Sequence, residues 1–341
     1  MIDSLCLEIK SRKSYLKEKT LKSIYFGGGT PSLLSLREIQ KILNAVCQHF
    51  TIESSAEITL EANPDDITAT SVQGWRELGI NRLSIGIQSF KAEDLKWMNR
   101  AHNVDEALKC VEIATKSGIS SVSVDLIYGL PNLSNEEWVN HIERVLAMKV
   151  QHISAYCLTV EPKTALHKHV QVGKITIADE DTQQEQFLLL TNTLEMNGFH
   201  HYEISNFSLP GFEAVHNSNY WKGIHYLGIG PSAHSFDGFS RRWNVSNNMT
   251  YLNNITKESG WFEEEQLSAK DQWNEYVLTG LRTSTGINYE HLATLHEISE
   301  NFFLSVDQLE KEGFLSVHGQ QIVLTTSGKL QADRIAAELF L

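Results

Sequence analysis

Polar residues and glycines follow the predicted strands of this chain at the points where the strands end. The turns read GGGTP at 27–31, EANP at 61–64, QS at 88–89 and EP at 161–162, and Asp125 lies at the end of a further apolar run. In parallel βα folds the carboxyl edge of the sheet binds ligands, because the loops converge there on rigid strands. Polar turn residues are common, so no single position is decisive, but together these strand ends predict one ligand-binding mouth.

The residue types at this mouth suit a zwitterionic nucleoside. Three glycines at 27–29 let the backbone approach a ligand closely, while the lack of GxGxxG and of a P-loop lysine argues against a phosphate site. Glu61, Gln88 and Asp125 can accept hydrogen bonds from ribose hydroxyls or an ammonium group, and the Arg100 guanidinium can fork onto a carboxylate. For Arg100, an exposed cation at a helix end is an equally good interpretation of the local sequence.

A repeated βα unit must position these residues. Apolar runs at 23–26, 57–60, 82–87, 121–126 and 152–159 predict strands, and a helical pattern follows each of them. Three capping-box pairs predict helix starts: Ser35 with Glu38, Asn103 with Glu106, and Ser134 with Glu137. Two glycines predict helix ends: Gly79 and Gly118. A period of about 30 residues predicts right-handed crossovers and a parallel sheet, either doubly wound or barrel-like, with too few strands for an eightfold barrel.

The pattern changes twice along the chain, which predicts three parts. Residues 1–178 carry the βα units, residues 179–260 form an aromatic and His-rich extension, and residues 261–341 form a C-terminal module. Within the extension, residues 244–260 are typical of a polar surface connection. The last part reads as three helices, two short strands around 318–319 and a terminal helix, the outline of a winged-helix-like α+β module. Without a basic face, this module suits packing or docking better than DNA binding.

Composition excludes several classes of protein. The chain of 341 residues has 29 Lys and Arg against 42 Asp and Glu, and a net charge of −13 disfavours nucleic acid and anionic membranes as partners. No apolar run approaches the roughly 20 residues of a transmembrane helix, and residues 1–19 lack signal-peptide features, so a cytoplasmic location is expected. The four cysteines are too far apart for a disulfide framework or a metal motif, and reduced, mostly buried thiols are expected: Cys6, Cys47, Cys110 and Cys157.

Four segments of the first half resemble successive motifs of one enzyme family. They are IYFGGGTPS at 24–32, TLEANP at 59–64, LSIGIQSF at 83–90 and VDLIYGLP at 124–131. In these motifs, their order and their separations, the chain resembles the radical-SAM oxygen-independent coproporphyrinogen III oxidase family over essentially its whole length. The resemblance implies an incomplete parallel (βα)6-type barrel. It also implies an S-adenosyl-L-methionine (SAM) site on Gly28, Gly29, Thr30, Glu61, Gln88, Arg100 and Asp125.

The sequence departs from this family in the segment that binds its iron–sulfur cluster. Family members carry a strand followed by Cys-x-x-x-Cys-x-x-Cys, whose thiolates hold a [4Fe–4S] cluster and leave one iron for SAM. This sequence contains no such motif. Met1 lies in what resembles the helix after that loop, so the first βα unit is expected to be missing, through a downstream start or a natural short form. As written, the chain is not expected to cleave SAM reductively.

A second group of motifs lies in the aromatic and His-rich segment: YEISNF at 202–207, HNSNYW at 216–221 and YLGIGPSAHS at 226–235. These resemble the HemW-type branch of the family, in which an HNxxY motif is associated with haem and which transfers haem. The resemblance implies haem binding near His216 or Tyr220, since imidazole and phenolate both ligate haem iron. For His216, the alternative is a loop histidine bonded only to protein. Weaker candidates are His200, His201, His225 and His234.

Three functions follow from these observations. The first is a haem chaperone built on a radical-SAM barrel, with SAM and haem as ligands and an unidentified haem-acceptor protein as partner. The alternative is a radical-SAM coproporphyrinogen III oxidase of porphyrin biosynthesis, and the third is a SAM-binding module without a redox role. The enzyme needs a [4Fe–4S] cluster that these cysteines cannot form. The aromatic and His-rich segment favours the chaperone.

Overall fold

The computed structural model describes residues 1–257 and 259–341, which divide into two units. Unit 1 comprises Met1–Ile24, Ser35–Glu57 and Ala214–Leu341, and unit 2 comprises Tyr25–Leu34 and Ile58–Glu213. Each unit is assembled from separated stretches of the chain. The three-part division at 178 and 260 follows chain order instead and stays a prediction.

Strands and helices alternate through the first half of the chain. The strands are β1 (Thr20–Phe26), β2 (Thr51–Ala62), β3 (Arg82–Gln88), β4 (Ser121–Tyr128), β5 (His152–Cys157), β6 (His200–Glu203), β7 (Asn206–Ser208), β8 (His234–Phe236), β9 (Ser240–Asn244), β10 (Phe262–Gln266), β11 (Ile287–Asn288), β12 (Leu315–His318) and β13 (Gln321–Leu324). The helices are α1 (Ile2–Ser11), α2 (Leu36–Cys47), α3 (Ala69–Glu77), α4 (Ala92–Trp97), α5 (Val104–Lys116), α6 (Asn135–Ala147), α7 (Ala165–Gln171), α8 (Glu180–Met196), α9 (Val215–Trp221), α10 (Asn248–Ile255), α11 (Ala269–Leu281), α12 (Tyr289–Leu295), α13 (Glu300–Lys311), α14 (Thr326–Lys329) and α15 (Ala332–Glu338). Within the described ranges, none of these helices has the length and apolar character needed to cross a membrane.

The largest sheet has the strand order β1-β2-β3-β4-β5-β7-β6 and contains all five predicted strands. The pairs β2–β3, β3–β4 and β4–β5 are parallel, as the βα pattern predicts. β5 ends at Cys157 rather than at the predicted residue 159. Its neighbour β4 ends opposite at Tyr128 and is followed by Gly129 in the left-handed conformation, so the ladder has no partner to continue. Glu161, which the sequence places just past the end of this strand, therefore lies four positions beyond its observed end.

The parallel strands alternate between an apolar and a polar face, because successive side chains of a strand point to opposite sides. The apolar face carries buried aliphatic side chains such as Leu83, Val124 and Ile153. On the other face the register places polar residues side by side: Glu61, Ser84, Ser123 and His152 in one row, and Gly86, Asp125 and Ser154 in the next. Parallel strands covered on both faces are almost continuously apolar. The alternation therefore indicates that the polar face serves ligands.

Local signals place the helix ends as predicted. Capping boxes are present at the starts of α2, α5 and α6, with the predicted pairs Ser35–Glu38, Asn103–Glu106 and Ser134–Glu137. Gly79 and Gly118 follow α3 and α5 with φ angles of 92° and 82°. These short-range bonds fix where each helix begins and ends, and so where the strand ends between them lie.

A buried carboxylate organises the centre of unit 1. Glu8 of α1 has 0% exposed surface. Its oxygens accept hydrogen bonds from the Gly230 amide at 2.8 Å, the Asn244 side-chain amide at 2.8 Å and the Tyr251 hydroxyl at 2.6 Å. Arg12, one helical turn later, donates to Glu8 at 3.3 Å. The network therefore joins α1 to segments more than 200 positions away in the sequence, the Gly230 bond spanning 222 residues.

The prediction of a polar surface connection at 244–260 is wrong. Helix α10 occupies the middle of this segment, and its Tyr251 and Ile255 are 0% and 1% exposed and pack with Trp261. Two residues four positions apart share one face of a helix. A stripe of only two such residues in an asparagine-rich segment is too short to signal a buried helix from sequence.

The C-terminal part of unit 1 has the predicted order of elements. Helices α11, α12 and α13 precede the β12–β13 hairpin, β13 also pairs with the short β11, and α15 follows. Trp273 of α11 is fully buried, and its indole nitrogen donates to the Leu339 carbonyl at 3.0 Å. The winged-helix-like α+β module inferred from the sequence is therefore confirmed.

Candidate functional site

The glycine turn after β1 is built onto Glu61 near the end of β2. The Tyr25 hydroxyl donates to Glu61 Oε1 at 2.7 Å and the Gly28 amide donates to Oε2 at 3.1 Å. Burial and the neighbouring Glu61 charge raise the pKa of Tyr25, so its hydroxyl stays a donor. A Cβ at Gly27 would lie 2.3 Å from the Tyr25 ring and 2.9 Å from Glu61 Oε1. Gly28 and Gly29 are exposed, with φ angles of 72° and 89°. The turn therefore presents bare backbone beside an anchored carboxylate.

Gln88, at the end of β3, has a φ angle of 70°, which is uncommon for a residue with a side chain. The pairing with β4 shifts register between Gly86 and Gln88. A Cβ at Gly86 would lie 2.8 Å from Gln88 Nε2 and 3.5 Å from an Arg100 nitrogen, so the glycine makes room for both side chains. Backbone strain of this kind concentrates at ligand and active sites.

Arg100, between α4 and α5, reaches the same strand end. One of its terminal nitrogens donates to Asn63 Oδ1 at 2.9 Å and to the Gly86 carbonyl at 3.0 Å. Its Nε is buried and has no hydrogen-bond partner among the described residues. Arg100 is therefore not the exposed helix-end cation that the local sequence allowed. It is a half-buried guanidinium held by neutral oxygens, which leave its charge unmatched.

Asp125 lies on the polar face near the end of β4. Ser84 Oγ is 3.2 Å and 3.1 Å from its two carboxylate oxygens. Burial raises the pKa of Asp125 to about 6, against the opposing effects of hydrogen bonds from Ser154 and Ser84 and of the Arg82 charge. A carboxylate that is costly to keep ionised gains much from hydroxyl donors, and strongly shifted groups of this kind concentrate at functional sites.

The seven residues predicted for SAM all lie in unit 2. Gly28 is bonded directly to Glu61, and the Glu61 charge acts on Asp125. Thr30 is half-buried and precedes a short 3-10 turn, Pro31–Leu33. Six of the seven residues therefore lie near the carboxyl ends of strands or in the turn after β1, as the βα interpretation predicts, whereas Arg100 lies between α4 and α5.

Several polar side chains of the same face have no role in the sequence-based prediction. They are Tyr25, Ser84, Ser123, His152, Ser154 and Tyr202. Those on β3, β4 and β5 are marked by the strict alternation of polar and apolar residues in RLSIGIQ, SVSVDLIY and HISAYC. That period of two predicts a polar sheet face and could have found them.

The donor set of unit 2 fits a zwitterionic nucleoside such as SAM. Glu61 and Asp125 can accept from hydroxyl or ammonium groups, and Arg100 can pair with a carboxylate. The open space beside Gly28 and Gly29 leaves their backbone groups accessible. The set therefore supplies acceptors for the cationic end of such a ligand and a cation for its anionic end.

The described residues do not fit an iron–sulfur cluster. Among them, no group of three or more His, Cys, Asp or Glu side chains could hold a metal ion. The four cysteines are unpaired, but only Cys110 is fully buried and Cys47 is exposed. Burial raises the pKa of Cys110 to about 12 and also raises that of Cys157, which disfavours the thiolate that a cluster needs.

The HNSNYW segment of unit 1 forms α9, and two distant residues anchor its start. The Glu57 carboxylate accepts from the amides of Val215 at 3.0 Å and His216 at 2.9 Å. Ser23 Oγ lies 3.1 Å from His216 Nδ1. One turn along the helix, the Tyr220 ring lies edge-on at 5.2 Å from the His216 ring. The histidine is therefore held both through its backbone and through its ring.

Aromatic rings continue from Tyr220 across unit 1. The Tyr220 and Tyr226 rings are 4.2 Å apart, and Tyr226 and Phe236 are 6.3 Å apart. Arg241 donates to the Tyr226 hydroxyl at 3.0 Å and forms an ion pair with Glu275. Tyr220 remains 39% exposed. An imidazole beside exposed aromatic rings fits a flat, metal-bearing macrocycle, because such rings bury large apolar area.

The remaining histidines lie in other surroundings. His201 of β6 is buried, its ring stacks on Phe207 at 4.1 Å and its Nε2 lies 3.0 Å from the Ile204 carbonyl oxygen, so it is part of the core of unit 2. Its neighbour His200 is exposed, because successive side chains of a strand point to opposite faces. His234 is exposed and stacks against Trp243 at 6.2 Å.

Comparison with known proteins identifies the family. Residues 7–145 match the radical SAM superfamily, and residues 267–330 match the HemN C-terminal domain. The chain is 34% identical over 339 residues to the heme chaperone HemW of Mycobacterium tuberculosis, covering 98% of this chain and 85% of that protein. The chain belongs to the HemW family. Its HemW relative in Bacillus subtilis is 31% identical over 319 residues, covering 92% of this chain and 84% of that protein.

The fold of this HemW-family chain is also that of a solved structure. Coproporphyrinogen III oxidase (HemN) from Escherichia coli, a radical SAM enzyme, matches with a TM-score of 0.83 and 21% identity, covering 99% of this chain and 82% of that one. This confirms the prediction of an incomplete βα barrel of radical-SAM type with a C-terminal module. The predicted resemblance to HemW-type proteins is confirmed as well. Superfamily membership implies SAM and a [4Fe–4S] cluster, and the HemW family implies haem.

Proposed function

We propose that this chain is a haem chaperone that binds haem beside α9 in unit 1 and SAM on the polar face of unit 2. The observation that carries the proposal is His216, anchored by Ser23 and Glu57 at the start of the HNSNYW segment, in a chain whose relatives are named heme chaperone HemW. The proposed partners are the two small molecules and a protein that accepts the haem. The cytoplasmic location stays a prediction.

His216 is the better candidate for the iron ligand. Because Ser23 bonds Nδ1, His216 would bind iron through Nε2, and a bond at the second ring nitrogen orients a metal-binding histidine and raises its basicity. Tyr220 would have to bind as a phenolate, but burial and the neighbouring Tyr226 raise the pKa of Tyr220 to about 12. Loss of that proton is costly near neutral pH. We therefore assign the iron to His216 and packing on the macrocycle to the Tyr220 ring.

The SAM site is assigned to Gly28, Gly29, Thr30, Glu61, Gln88, Arg100 and Asp125. In this assignment Arg100 pairs with the ligand carboxylate, while Glu61 and Asp125 accept from its ammonium group or ribose hydroxyls. When bound, SAM supplies a sulfonium centre whose carbon–sulfur bonds are activated. No reductive step is assigned to the described residues, because their cysteines do not fit a cluster.

A coproporphyrinogen III oxidase is the alternative function. It is less well supported, because the likeness to the solved HemN structure is at 21% identity and concerns the fold alone. The relatives named heme chaperone HemW are 30% to 34% identical over most of the chain. The described cysteines also provide no ligand set for the electron source that such an oxidation requires.

Haem titration of the purified chain, followed by the Soret band, tests the chaperone proposal. We expect saturation near one equivalent of haem. In His216→Ala the haem affinity should fall at least about tenfold, because even removing a group that only hydrogen-bonds a metal ligand costs about that much. Tyr220→Phe should stay within a few-fold of wild type because it keeps the packing ring. His291→Ala, which removes an exposed histidine beside the Tyr276 ring, is the matched control and should bind haem as wild type does. An unchanged titration in His216→Ala would exclude His216 as the ligand.

SAM binding by calorimetry tests the second site independently. Gln88→Ala and Asp125→Ala should each weaken SAM binding, because each removes an assigned polar contact, while the circular dichroism spectrum stays that of wild type. The control is Gln73→Ala, which removes an exposed glutamine whose only described hydrogen bond is to Glu77. Wild-type affinity in both site variants would refute the assignment.

A further inference from the structure

A row of hydrogen-bonding groups crosses the polar face of the unit 2 sheet and ends on Asp125. The Tyr202 hydroxyl lies 2.7 Å from His152 Nε2, and Ser123 Oγ lies 2.7 Å from His152 Nδ1. Ser123 Oγ is 3.4 Å from Ser154 Oγ, and the Ser154 side chain hydrogen-bonds Asp125. We propose that Tyr202 and His152 are positioning residues that hold Asp125 ionised and aimed as an acceptor for SAM. This inference rests on the SAM site proposed above.

The row has a direction because His152 is neutral. Its side chain is 0% exposed, and burial together with the Arg82 charge lowers the pKa of His152 well below its ordinary value. A neutral imidazole has one donor nitrogen and one acceptor nitrogen. If Tyr202 donates to Nε2, then Nδ1–H donates to Ser123, and each hydroxyl in turn donates towards Asp125.

The opposite direction requires a proton on Asp125. In that arrangement Asp125 donates to Ser154, Ser154 to Ser123 and Ser123 to His152 Nδ1, while Nε2–H donates to the Tyr202 oxygen. The proton on Asp125 comes from solvent and the hydroxyl groups reorient, while His152 changes tautomer by releasing its Nδ1 proton and taking up a proton at Nε2. The tautomer of His152 is therefore coupled to the charge of Asp125, three groups away along the row. An ionised Asp125 accepts from ligand hydroxyls, and a protonated one competes with them as a donor.

Other groups also face Asp125. Arg82 from β3 favours its charged form and Glu61 from β2 disfavours it. Tyr25 from β1 and Tyr156 from β5 both interact with it, and burial raises the pKa of each, so they stay uncharged. Arg82, the Ser84 hydroxyl and the donors of the hydrogen-bonded row therefore oppose the desolvation that raises the Asp125 pKa. Removing the donor at the far end of the row should raise that pKa further.

The test is SAM affinity of the full chain between pH 5 and pH 8. Wild type should lose affinity below pH 6, because the pKa of Asp125 is about 6 and the protonated form is a poorer acceptor. Tyr202→Phe should bind within about twofold of wild type at pH 8, with its midpoint shifted upward by roughly 0.3 to 1 pH unit, the effect expected of one lost hydrogen bond. A shift of about 0.7 unit makes binding at pH 6 about threefold weaker than in wild type.

Two further variants separate this inference from the underlying site. Tyr128→Phe removes a buried hydroxyl from the apolar side of β4 and should leave the midpoint unchanged. Asp125→Asn should lose affinity at pH 8 and lose the pH dependence. Wild-type binding in Asp125→Asn would refute the SAM site itself. Weakened binding in Asp125→Asn combined with an unshifted midpoint in Tyr202→Phe would overturn the positioning role and leave the site standing.

Nitrogen-15 NMR of the ligand-free wild-type chain tests the coupling without any substitution. We expect the His152 proton to be on Nδ1 above pH 7 and to move to Nε2 as Asp125 is protonated below pH 6. A purely structural hydrogen bond between His152 and its two hydroxyl partners would show no such change. A single His152 tautomer across the whole range would therefore overturn the inference.

Discussion

Replacing Gly27 by alanine tests how closely the glycine turn is built onto Glu61. The added Cβ would lie 2.3 Å from Tyr25 Cε1, 2.8 Å from Cδ1 and 2.9 Å from Glu61 Oε1. Ordinary contacts between carbon atoms are about 3.5 to 4.0 Å. The Tyr25 ring or the turn must therefore move by about 1 Å or more, and the 2.7 Å bond from Tyr25 to Glu61 is the first contact to break.

The size of the effect follows from what Glu61 does for the ligand. A hydrogen bond to a charged group contributes about 1.5 to 3 kcal/mol. If the displaced Glu61 loses one such bond to SAM, the affinity should fall by about tenfold to about 150-fold. Gly27 does not have a positive φ angle, so alanine adds no left-handed backbone strain at this position. The loss should therefore appear mainly in binding.

Calorimetric titration with SAM at pH 8, beside a thermal melt, measures the two effects separately. Gly198→Ala is the control, because Gly198 has a φ angle of 84° and open space around it. Its substitution should cost about 1 to 2 kcal/mol of stability through the left-handed conformation and leave SAM affinity unchanged. Wild-type affinity in Gly27→Ala, or an equal loss of affinity in both variants, would refute this reasoning.

Three further predictions concern charged groups. The pKa of Asp125 is about 6 in the folded chain against an ordinary 3.8, so its ionisation lowers stability as pH rises between these values. The free energy of unfolding of ligand-free Asp125→Asn should therefore exceed that of wild type by about 1 to 3 kcal/mol at pH 8 and equal it below pH 4. Equal denaturation midpoints at pH 8 would contradict this. Glu8→Ala leaves Arg12 buried without its ionic partner, so the free energy of unfolding measured with urea should fall by about 3 to 5 kcal/mol. A fall of less than about 1 kcal/mol would show that the hydrogen bonds around Glu8 do not stabilise the fold. Arg100→Lys cannot keep the forked guanidinium that reaches Asn63 and should weaken SAM binding with little change in melting temperature, an expectation that full affinity would contradict.

The predictable part of the site depends on local signals. Capping boxes such as Ser35–Glu38 and Asn103–Glu106 involve residues three positions apart, so they can be recognised in any fold. Apolar runs that end in glycine or acidic residues mark strand ends in the same way. This is why the sequence alone predicts that Glu61, Asp125 and the glycine turn lie at one ligand-binding edge of the sheet.

The fold class could also be predicted from the sequence, because the βα period recurs five times and the order of the motifs agrees with one family. Helix α10 was not, because its buried face consists of Tyr251 and Ile255 in a polar segment, and burial there depends on Trp261 and Glu8. The assignment of Arg100 likewise needed the structure. Its local sequence is equally compatible with an exposed cation, and only the bonds to Asn63 and Gly86 distinguish the two.

The sequence by itself determined the five strands of the βα units, the capped helix starts and the residues at the carboxyl ends of those strands, because each of these is set within a few neighbouring positions. It also determined the family, through the order of motifs along the chain. Only the tertiary structure decided which distant groups bond to them. The parallel register brings Ser84 against Asp125, 41 positions away, and Ser23 bonds His216 across 193 positions. Such contacts depend on how strands and helices pack within each unit, and the periodicity of a single segment carries no information about its partner.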